Sequence, residues 1–309
     1  MRHRCVNLVA SFAVLFALGV CGDAVANSSS IIELKDAGSG AKAPLLYTFT
    51  TGNTTQWSFE ADSQMAFAQM PKQALPTMKA TLSLTATKVD KKGTGTFTGR
   101  IENAVLSLPS NPKATKLLKS INDQLVRLKS LKIRLKVDRH GKVFDVNVGK
   151  LKNASAEITT ILATFNQQFQ QVATPLPTQP VGEGATWRVT QQVTANNVKL
   201  KQQTTYSLTR RNSATGEFSL SIGIRQSASP QALKLPGVPS NVSVRLLKAE
   251  GDGKSTMNIN SAYLGASGNV SVGLKMAVEM SMGAQKSKTA FSFDSSAKLK
   301  ANYSTKRGQ

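Results

Sequence analysis

The stretch LKIRLKVDRHGKVFDVNV, residues 131–148, decides the fold class. Its first seven residues alternate apolar and basic side chains, and a period of two places the two kinds on opposite faces of a β-strand. RHGK, residues 139–142, contains a glycine that suits a tight turn, and VFDVNV then resumes the alternation. The sequence therefore predicts a β-hairpin over 131–148.

The same alternation recurs along the chain and predicts a protein built mostly of strands. Further strands are predicted at 81–89, 96–101, 204–210 and 217–224. Two longer alternating runs, 270–282 and 291–303, predict strands well beyond the usual five or six residues. Strands of that length favour a large, curved sheet.

Two segments carry apolar residues at helical spacing instead. Residues 111–129 and 153–173 each place their leucine, isoleucine and phenylalanine side chains on one stripe, which predicts two amphipathic helices. Each stripe needs an apolar surface to cover it. The predicted fold is mainly β: a large curved antiparallel sheet, open or rolled into a half barrel, with both helices packed on its concave side.

The N-terminus has the three-part layout of an export signal. Basic residues precede an apolar run at 6–20, which is too short to span a bilayer, and small residues follow. Cleavage after Ala26 fits the small-x-small pattern, whereas lipidation of Cys21 would follow Val20, a poor residue for that position. Residues 1–26 are thus predicted to be a signal peptide of a periplasmic or extracellular protein, with a lipid anchor at Cys21 as the alternative.

After the signal, residues 27–43 lack a period and are predicted to be a flexible leader. Residues 44–309 are predicted to form a single β-rich domain. The hairpins that begin TLSLT and TYSLT resemble one another, which leaves open two related halves, 44–150 and 180–309, joined by the helix at 153–173.

A resemblance rests on residues 175–187, PLPTQPVGEGATW. Together with the preceding helix, the 131–148 hairpin and the export signal, this motif is similar to a family of exported bacterial β-rich proteins that carry Pro-Leu-Pro, Pro-Val-Gly-x-Gly and a strand-opening Trp. The resemblance implies export and a β architecture. The family has no established activity, so it implies no catalytic residue.

The residues needed for common catalytic and metal sites are scarce. The two cysteines, Cys5 and Cys21, lie within the predicted signal, and His140 is the one histidine beyond it. A zinc site of Cys and His, a Cys–His pair and a cysteine nucleophile therefore lack their ligands and bases. The sequence predicts no catalytic residue, no metal and no cofactor, and an enzyme is the least favoured class.

Charge points to an anionic partner. The chain has a net charge of +22, or +21 without residues 1–26, and outside the cytoplasm such a charge favours lipid headgroups or envelope polymers over nucleic acid. The candidate anion-binding residues are Lys132, Arg134, Lys136, Arg139 and Lys142. The alternative is a solvated basic strand that protects a sheet edge.

A second candidate site is apolar. Residues on the two long strands and on the second helix could line a pocket for a hydrophobic ligand, namely Met276, Met280, Phe291, Phe293, Phe165 and Phe169. The sequence thus favours an exported, non-catalytic binding or carrier module for a hydrophobic or anionic, lipid-like ligand. The alternative is a structural or adhesive envelope protein with a packed core.

Overall fold

The structure is a computed structural model, which describes most of the chain after residue 29. The described ranges are 30–67, 71–107, 115–151, 172–195, 198–233, 241–282 and 285–305. Between 152 and 171 it describes only residues 154, 158, 159, 162, 165, 166, 169 and 170. The predicted signal peptide, with Cys21 and Ala26, lies outside the described residues.

Sixteen strands are numbered in chain order. Their bounds are β1 Ile31–Asp36, β2 Ser39–Ala43, β3 Asn53–Phe67, β4 Gln73–Ala74, β5 Thr77–Val89, β6 Gly95–Ser107, β7 Lys132–Val137, β8 Val143–Val148, β9 Val181–Glu183, β10 Thr186–Ala195, β11 Val198–Asn212, β12 Glu217–Ala228, β13 Gln231–Leu233, β14 Val242–Asn260, β15 Ala266–Met282 and β16 Gln285–Thr305. The continuous α-helix of the described ranges, α1, spans Thr115–Leu125 and continues as a 3-10 helix, Val126–Ser130.

Fourteen of these strands form one antiparallel sheet. Its order is β1-β10-β11-β12-β14-β15-β16-β3-β5-β6-β7-β8, with β4 and β13 paired to the sides of β3 and β14. The sheet ends at β1 and β8 and is therefore open. The prediction of a mainly β protein with a large antiparallel sheet is confirmed, as are the hairpin β7–β8 and the long strands β15 and β16.

The structure gives one continuous helix where two were predicted. Of the first, 111–129, the structure gives α1 followed by the 3-10 helix. The side-chain amide of Asn122 on α1 forms two hydrogen bonds of 2.8 Å with the backbone of Leu106 on β6, donating one and accepting the other. These bonds occupy the edge of β6 beyond the end of β7, so α1 docks on a strand edge. Of the second, 153–173, the structure describes only separate positions, of which 158, 159, 162, 165, 166 and 169 are helical, and the other positions between 152 and 171 lie largely outside the described residues.

The predicted leader also differs. Two strands, β1 and β2, lie within 27–43. Ile31 and Ile32 pair with Thr190 and Val189 of β10, and β2 pairs with β9 in a separate two-stranded sheet. Backbone pairing supplies the order that the serine- and glycine-rich composition did not indicate, because both isoleucines stay largely exposed.

The apolar face of the sheet packs in two clusters. The larger one joins the sheet to the coil at 44–50, to α1 and to Phe165 and Phe169. The smaller one includes Leu200, Leu274 and Phe293. Where the clusters meet, buried polar side chains face inward and bond to one another, as in Gln226 Nε2 to Gln202 Oε1 (2.7 Å) and Ser63 Oγ to Ser295 Oγ (3.1 Å). These two bonds replace hydrogen bonds to water, whereas Gln226 Oε1 is buried without a hydrogen-bond partner among the described residues.

Backbone contacts tie distant parts of the sheet together. The turn of the β7–β8 hairpin accepts a hydrogen bond from Leu176 N at His140 O (2.8 Å). One residue earlier, Pro175 O accepts a hydrogen bond from Trp187 Nε1 (2.9 Å) on β10. Trp187 is fully buried and stacks on Tyr206, with 5.4 Å between ring centroids. The chain before β10 thereby joins one end of the sheet to the other.

Candidate anion-binding surface

The three basic residues of β7 form a ladder on the polar face of the sheet. Lys132 and Arg134 are exposed, and Lys136 is half-buried. Their alternate neighbours Ile133 and Leu135 are fully buried, so the period of two in the sequence fixes the side on which the cations lie. The predicted residues Lys132, Arg134 and Lys136 are thus brought together, and we call them the basic ladder.

The two remaining predicted anion-binding residues lie in the turn. Arg139 packs its side chain against Gly93 of the β5–β6 turn, and Lys142 begins the return to β8. Asp138 organises the turn by accepting hydrogen bonds from the backbone N–H groups of His140 (2.8 Å) and Lys142 (2.9 Å). Arg139 and Lys142 therefore lie at the end of the hairpin, beyond the ladder.

Neighbouring side chains modify the ladder's charge. Lys136 Nζ lies 2.8 Å from Asp145 Oδ2 and 6.0 Å from the centroid of the Phe144 ring. On the other side, Arg100 of β6 is the direct cross-strand partner of Lys132 and extends the basic surface. Arg100 is a contributor that the sequence analysis missed, because it is an isolated basic residue in its own strand.

The six candidate pocket residues are not brought to one place. Phe165 and Phe169 are buried in the larger cluster, whereas Phe293 is buried in the smaller one. Met276, Met280 and Phe291 are partly buried against that smaller cluster. Neither cavity described below is lined by any of the six.

The cavities lie on the polar face instead. Two adjoining hollows of about 900 and 950 Å³ are lined by residues of β3, β10, β11, β12, β14, β15 and β16. We call them together the polar trough. Its charged lining residues are Glu60, Asp62, Lys72, Arg188, Arg225, Asp252, Lys254, Asp294 and Lys298. Among the described lining residues none is aromatic.

One cross-strand row forms the floor where the two hollows meet. The six residues common to both are Thr205, Gly223, Lys254, Ser271, Ser296 and Asp62. Each is the register partner of the next, from β11 through β12, β14, β15 and β16 to β3. Three of the six are glycine or serine, so small side chains leave the centre of the face open.

Most acids of the trough have partners among the described residues, whereas four of its cations, Arg188, Arg225, Lys254 and Lys298, form no ion pair there. Asp294 Oδ2 lies 2.7 Å from Lys72 Nζ, and Asp62 Oδ1 accepts a 2.6 Å hydrogen bond from Thr77 Oγ1. Within the described ranges, no carboxylate oxygen lies within 4.0 Å of a charged nitrogen of Arg188, Arg225 or Lys254. These cations keep their capacity to bind an external anion.

On β1, next to Arg188, the electrostatic effect of this unpaired cation reaches a neighbouring carboxyl group. Glu33 is the register partner of Arg188 and forms an ion pair with Lys35. The hydrogen bond from Lys35 lowers the pKa of the Glu33 carboxyl, and the charges of Lys35 and Arg188 lower it further. Arg188 therefore acts on a neighbouring anion without a direct contact.

Sequence reasoning missed the trough entirely. Each strand contributes at most two charged residues, and none of those strands carries a run of like charge there. One signal was present: Gly223 interrupts the strand EFSLSIGI, and a glycine inside a strand marks a bulge or a close approach.

The described residues offer neither a metal centre nor a helix that could cross a membrane. In the ranges that the structure describes, no three His, Cys, Asp or Glu side chains group in a way that could hold a metal ion. No described helix has both the length and the apolar character needed to cross a membrane.

Comparisons with known proteins give no family. No family model and no curated protein match the chain. Similar solved structures include a loop L8 deletion mutant of OmpT, an outer membrane protein of Vibrio cholerae, at 6% identity and a TM-score of 0.19, covering 81% of this chain and 100% of that one. Salmonella typhi OmpF in complex with daunomycin is similar at 7% identity and a TM-score of 0.21, covering 81% of this chain and 98% of that one. Pseudomonas aeruginosa OpdQ is similar at 6% identity and a TM-score of 0.20, covering 82% of this chain and 100% of that one. At such scores these likenesses support no argument about this chain.

Proposed function

We propose that the protein is an exported, non-catalytic binding module of the cell envelope, and that it binds anionic lipid headgroups on the polar face of its sheet. The observation that carries the proposal is the set of cations in the polar trough that form no ion pair with a described residue, among them Arg188, Arg225 and Lys254. The basic ladder lies on the same face and extends the surface. The apolar side chains, by contrast, are engaged in the two packed clusters.

Energetics support a surface of this kind. A lysine or arginine near an anionic membrane surface contributes about 1 kcal/mol at modest salt, so three trough cations together contribute about 3 kcal/mol. That corresponds to roughly a hundredfold in affinity. Such binding weakens as salt screens the charges.

The test is sedimentation with vesicles of phosphatidylcholine, with and without phosphatidylglycerol. We expect binding only to the anionic vesicles and a steady loss of binding with added salt. The triple variant Arg188→Gln, Arg225→Gln, Lys254→Gln is expected to bind about a hundredfold more weakly. The control variant Lys42→Gln, Lys91→Gln, Lys92→Gln removes the same charge from exposed positions outside the trough and should lose much less.

Two results would contradict the proposal. The first is equal binding to neutral and anionic vesicles, which would indicate an apolar interaction. The second is an equal loss of affinity in the two triple variants, which would assign the binding to net charge and not to the trough.

The packed clusters favour a second candidate, a structural or adhesive envelope protein that binds anionic surface polymers. A soluble polyanion such as dextran sulfate separates the two. If it binds more tightly than the anionic vesicles at equal charge, the adhesive role is preferred.

A further inference from the structure

Gly223 lies at the centre of the trough floor without a structural reason for being glycine. Its backbone φ is not positive, and it pairs in continuous register with Thr205 and Lys254, so no bulge occurs there. A Cβ atom built on it would meet nothing within 4 Å. Turn geometry, a bulge and close packing are thus excluded as reasons for this glycine. A glycine inside a strand lowers stability by about 0.5–1 kcal/mol relative to alanine, so its presence needs another reason.

Other glycines of the sheet do have such a reason. A Cβ on Gly268 would lie 2.0 Å from Thr256 O, and one on Gly99 would lie 2.0 Å from Ser83 O. In both places a neighbouring strand excludes any side chain. The remaining reason for a strand glycine is the close approach of a ligand, and Gly223 lies in the one row that both hollows of the trough share.

The groups around Gly223 indicate the chemistry of that ligand. Arg225 and Lys254 present unpaired cations, and guanidinium and ammonium groups bind phosphate. Ser271 and Ser296 present hydroxyls that bond to no other described side chain. Such hydroxyls can both donate and accept hydrogen bonds.

The acids exclude a densely charged ligand. Asp252 is the register partner of Arg225 and lines the same hollow, so cation and carboxylate alternate across the trough. A carboxylate repels a second anion and accepts hydrogen bonds from hydroxyl groups. The arrangement fits a ligand whose phosphate groups are separated by hydroxyls, and it disfavours a continuous polyanion.

We infer that the polar trough is a binding site for a phosphorylated saccharide, which lies against the backbone at Gly223, with its phosphate on Arg225 and Lys254 and its hydroxyls on Asp252 and the two serines. The inference rests on the proposed function and names the headgroup class that the polar face selects. Phosphatidylglycerol, with a single phosphate and two hydroxyls on a flexible chain, then binds mainly by charge, and the phosphorylated saccharide binds by charge and by fit.

The test compares two vesicles of equal charge, one with a phosphorylated diglucosamine glycolipid and one with phosphatidylglycerol. We expect the protein to prefer the glycolipid by about tenfold, the worth of about one additional hydrogen bond to a charged group. Gly223→Leu places a side chain in the trough, where a Cβ meets nothing within 4 Å, and should lower the affinity for the glycolipid about tenfold more than the affinity for phosphatidylglycerol. Ser227→Leu, on the same strand and face but outside the trough, is the matched control and should keep the preference.

Asp252→Asn gives a second test that does not depend on how Gly223→Leu folds. Loss of a negative charge strengthens binding to phosphatidylglycerol, whereas the neutral amide oxygen accepts weaker hydrogen bonds from hydroxyls than the carboxylate does, which reduces the preference for the glycolipid. A mere charge effect would strengthen binding to both vesicles alike. A soluble phosphorylated diglucosamine distinguishes the sources of the ligand, because it competes with the vesicles only if the saccharide is recognised apart from its lipid.

Each outcome is decisive. Equal affinity for the two vesicles, or a preference that survives in Gly223→Leu and in Asp252→Asn, overturns the inference and leaves the proposed function standing. Failure of the unaltered protein to bind either anionic vesicle overturns the proposed function itself.

Discussion

The basic ladder and the polar trough lie on the same face of one sheet, yet they are built in opposite ways. The ladder takes three cations from six consecutive residues of β7. The trough takes its cations one at a time, Arg188 from β10, Arg225 from β12 and Lys254 from β14. The ladder is a row of long side chains on the hairpin at the end of the sheet. The trough is a space that small residues leave open. The difference shows that a charged surface and a charged cavity arise from different features of a sequence.

The largest expected effect tests whether ladder and trough belong to one cooperative unit. Trp187 is fully buried on β10, next to Arg188, and reaches the ladder's turn through residues 175 and 176. Trp187→Ala should lower the free energy of unfolding by about 3–5 kcal/mol because it leaves a large cavity. Urea unfolding followed by tryptophan fluorescence and by circular dichroism should show one transition for both probes. Two separated transitions would mean that the regions unfold independently.

The second prediction concerns pH and the coil that joins the two regions. Burial raises the pKa of Tyr47 to about 12, and its hydroxyl accepts a hydrogen bond from Thr174 N (3.0 Å). A raised pKa means that the folded chain holds the proton more tightly than the unfolded chain. This contribution to stability is complete below the unfolded pKa near 10 and is lost as the pH rises toward 12, a fall of about 2–3 kcal/mol.

Tyr47→Phe tests that assignment. The variant should be less stable at neutral pH, since Thr174 N loses its partner, and its stability should fall less between about pH 9 and about pH 12. Burial also raises the pKa of Tyr303, so part of the alkaline fall persists. Denaturant titration at several pH values measures both curves, and parallel curves would contradict the role of Tyr47.

The third prediction compares a glycine beside the ladder with the glycine of the trough. Gly99→Val forces a side chain against Ser83 O and should destabilise the fold by about 1–3 kcal/mol. Gly223→Val enters open space in a strand and should leave stability unchanged or raise it by up to about 1 kcal/mol. Thermal unfolding of the two variants measures the difference. A destabilised Gly223→Val would show that packing, and not space for a ligand, requires this glycine.

The smallest effect is expected at the ladder itself. Asp145 has a positive φ of 54° and pairs with Lys136, both with much of their side chains in solvent. Asparagine tolerates that backbone conformation, so Asp145→Asn should change the free energy of unfolding by about 0.5 kcal/mol or less. Binding to phosphatidylglycerol vesicles should strengthen about fivefold, because one counter-charge is gone. No gain in vesicle binding would separate the ladder from the anion-binding surface.

The contrast also marks what the sequence could predict. The period of two is local, so the hairpin, the long strands and the exposed side of Lys132 and Arg134 follow from it. The trough depends on which strands pair and in which register. The bulge between Leu208 and Arg210, for example, shifts the pairing of β11 with β12, and no local pattern indicates it.

Two further differences have the same origin. Ile31 and Ile32 are ordered by pairing with β10, a strand more than 150 residues away, so a local reading assigned them to a leader. The apolar candidates were grouped because they share a hydrophobic character. Their separation into two clusters follows from the buried Gln202, Gln226, Ser63 and Ser295, which were not recognised as inward-facing.

Pairing of β16 with β3 has a consequence for the timing of folding. The partners run from Phe291 and Phe67 to Thr305 and Asn53, so the last described strand completes the middle of the sheet. Hairpins such as β5–β6 and β14–β15 join strands that are neighbours along the chain and can form early in folding. The trough, which spans β16 and β3, cannot exist until that final strand has been synthesised and has found its distant partner, a step that is slow because it joins residues far apart along the chain.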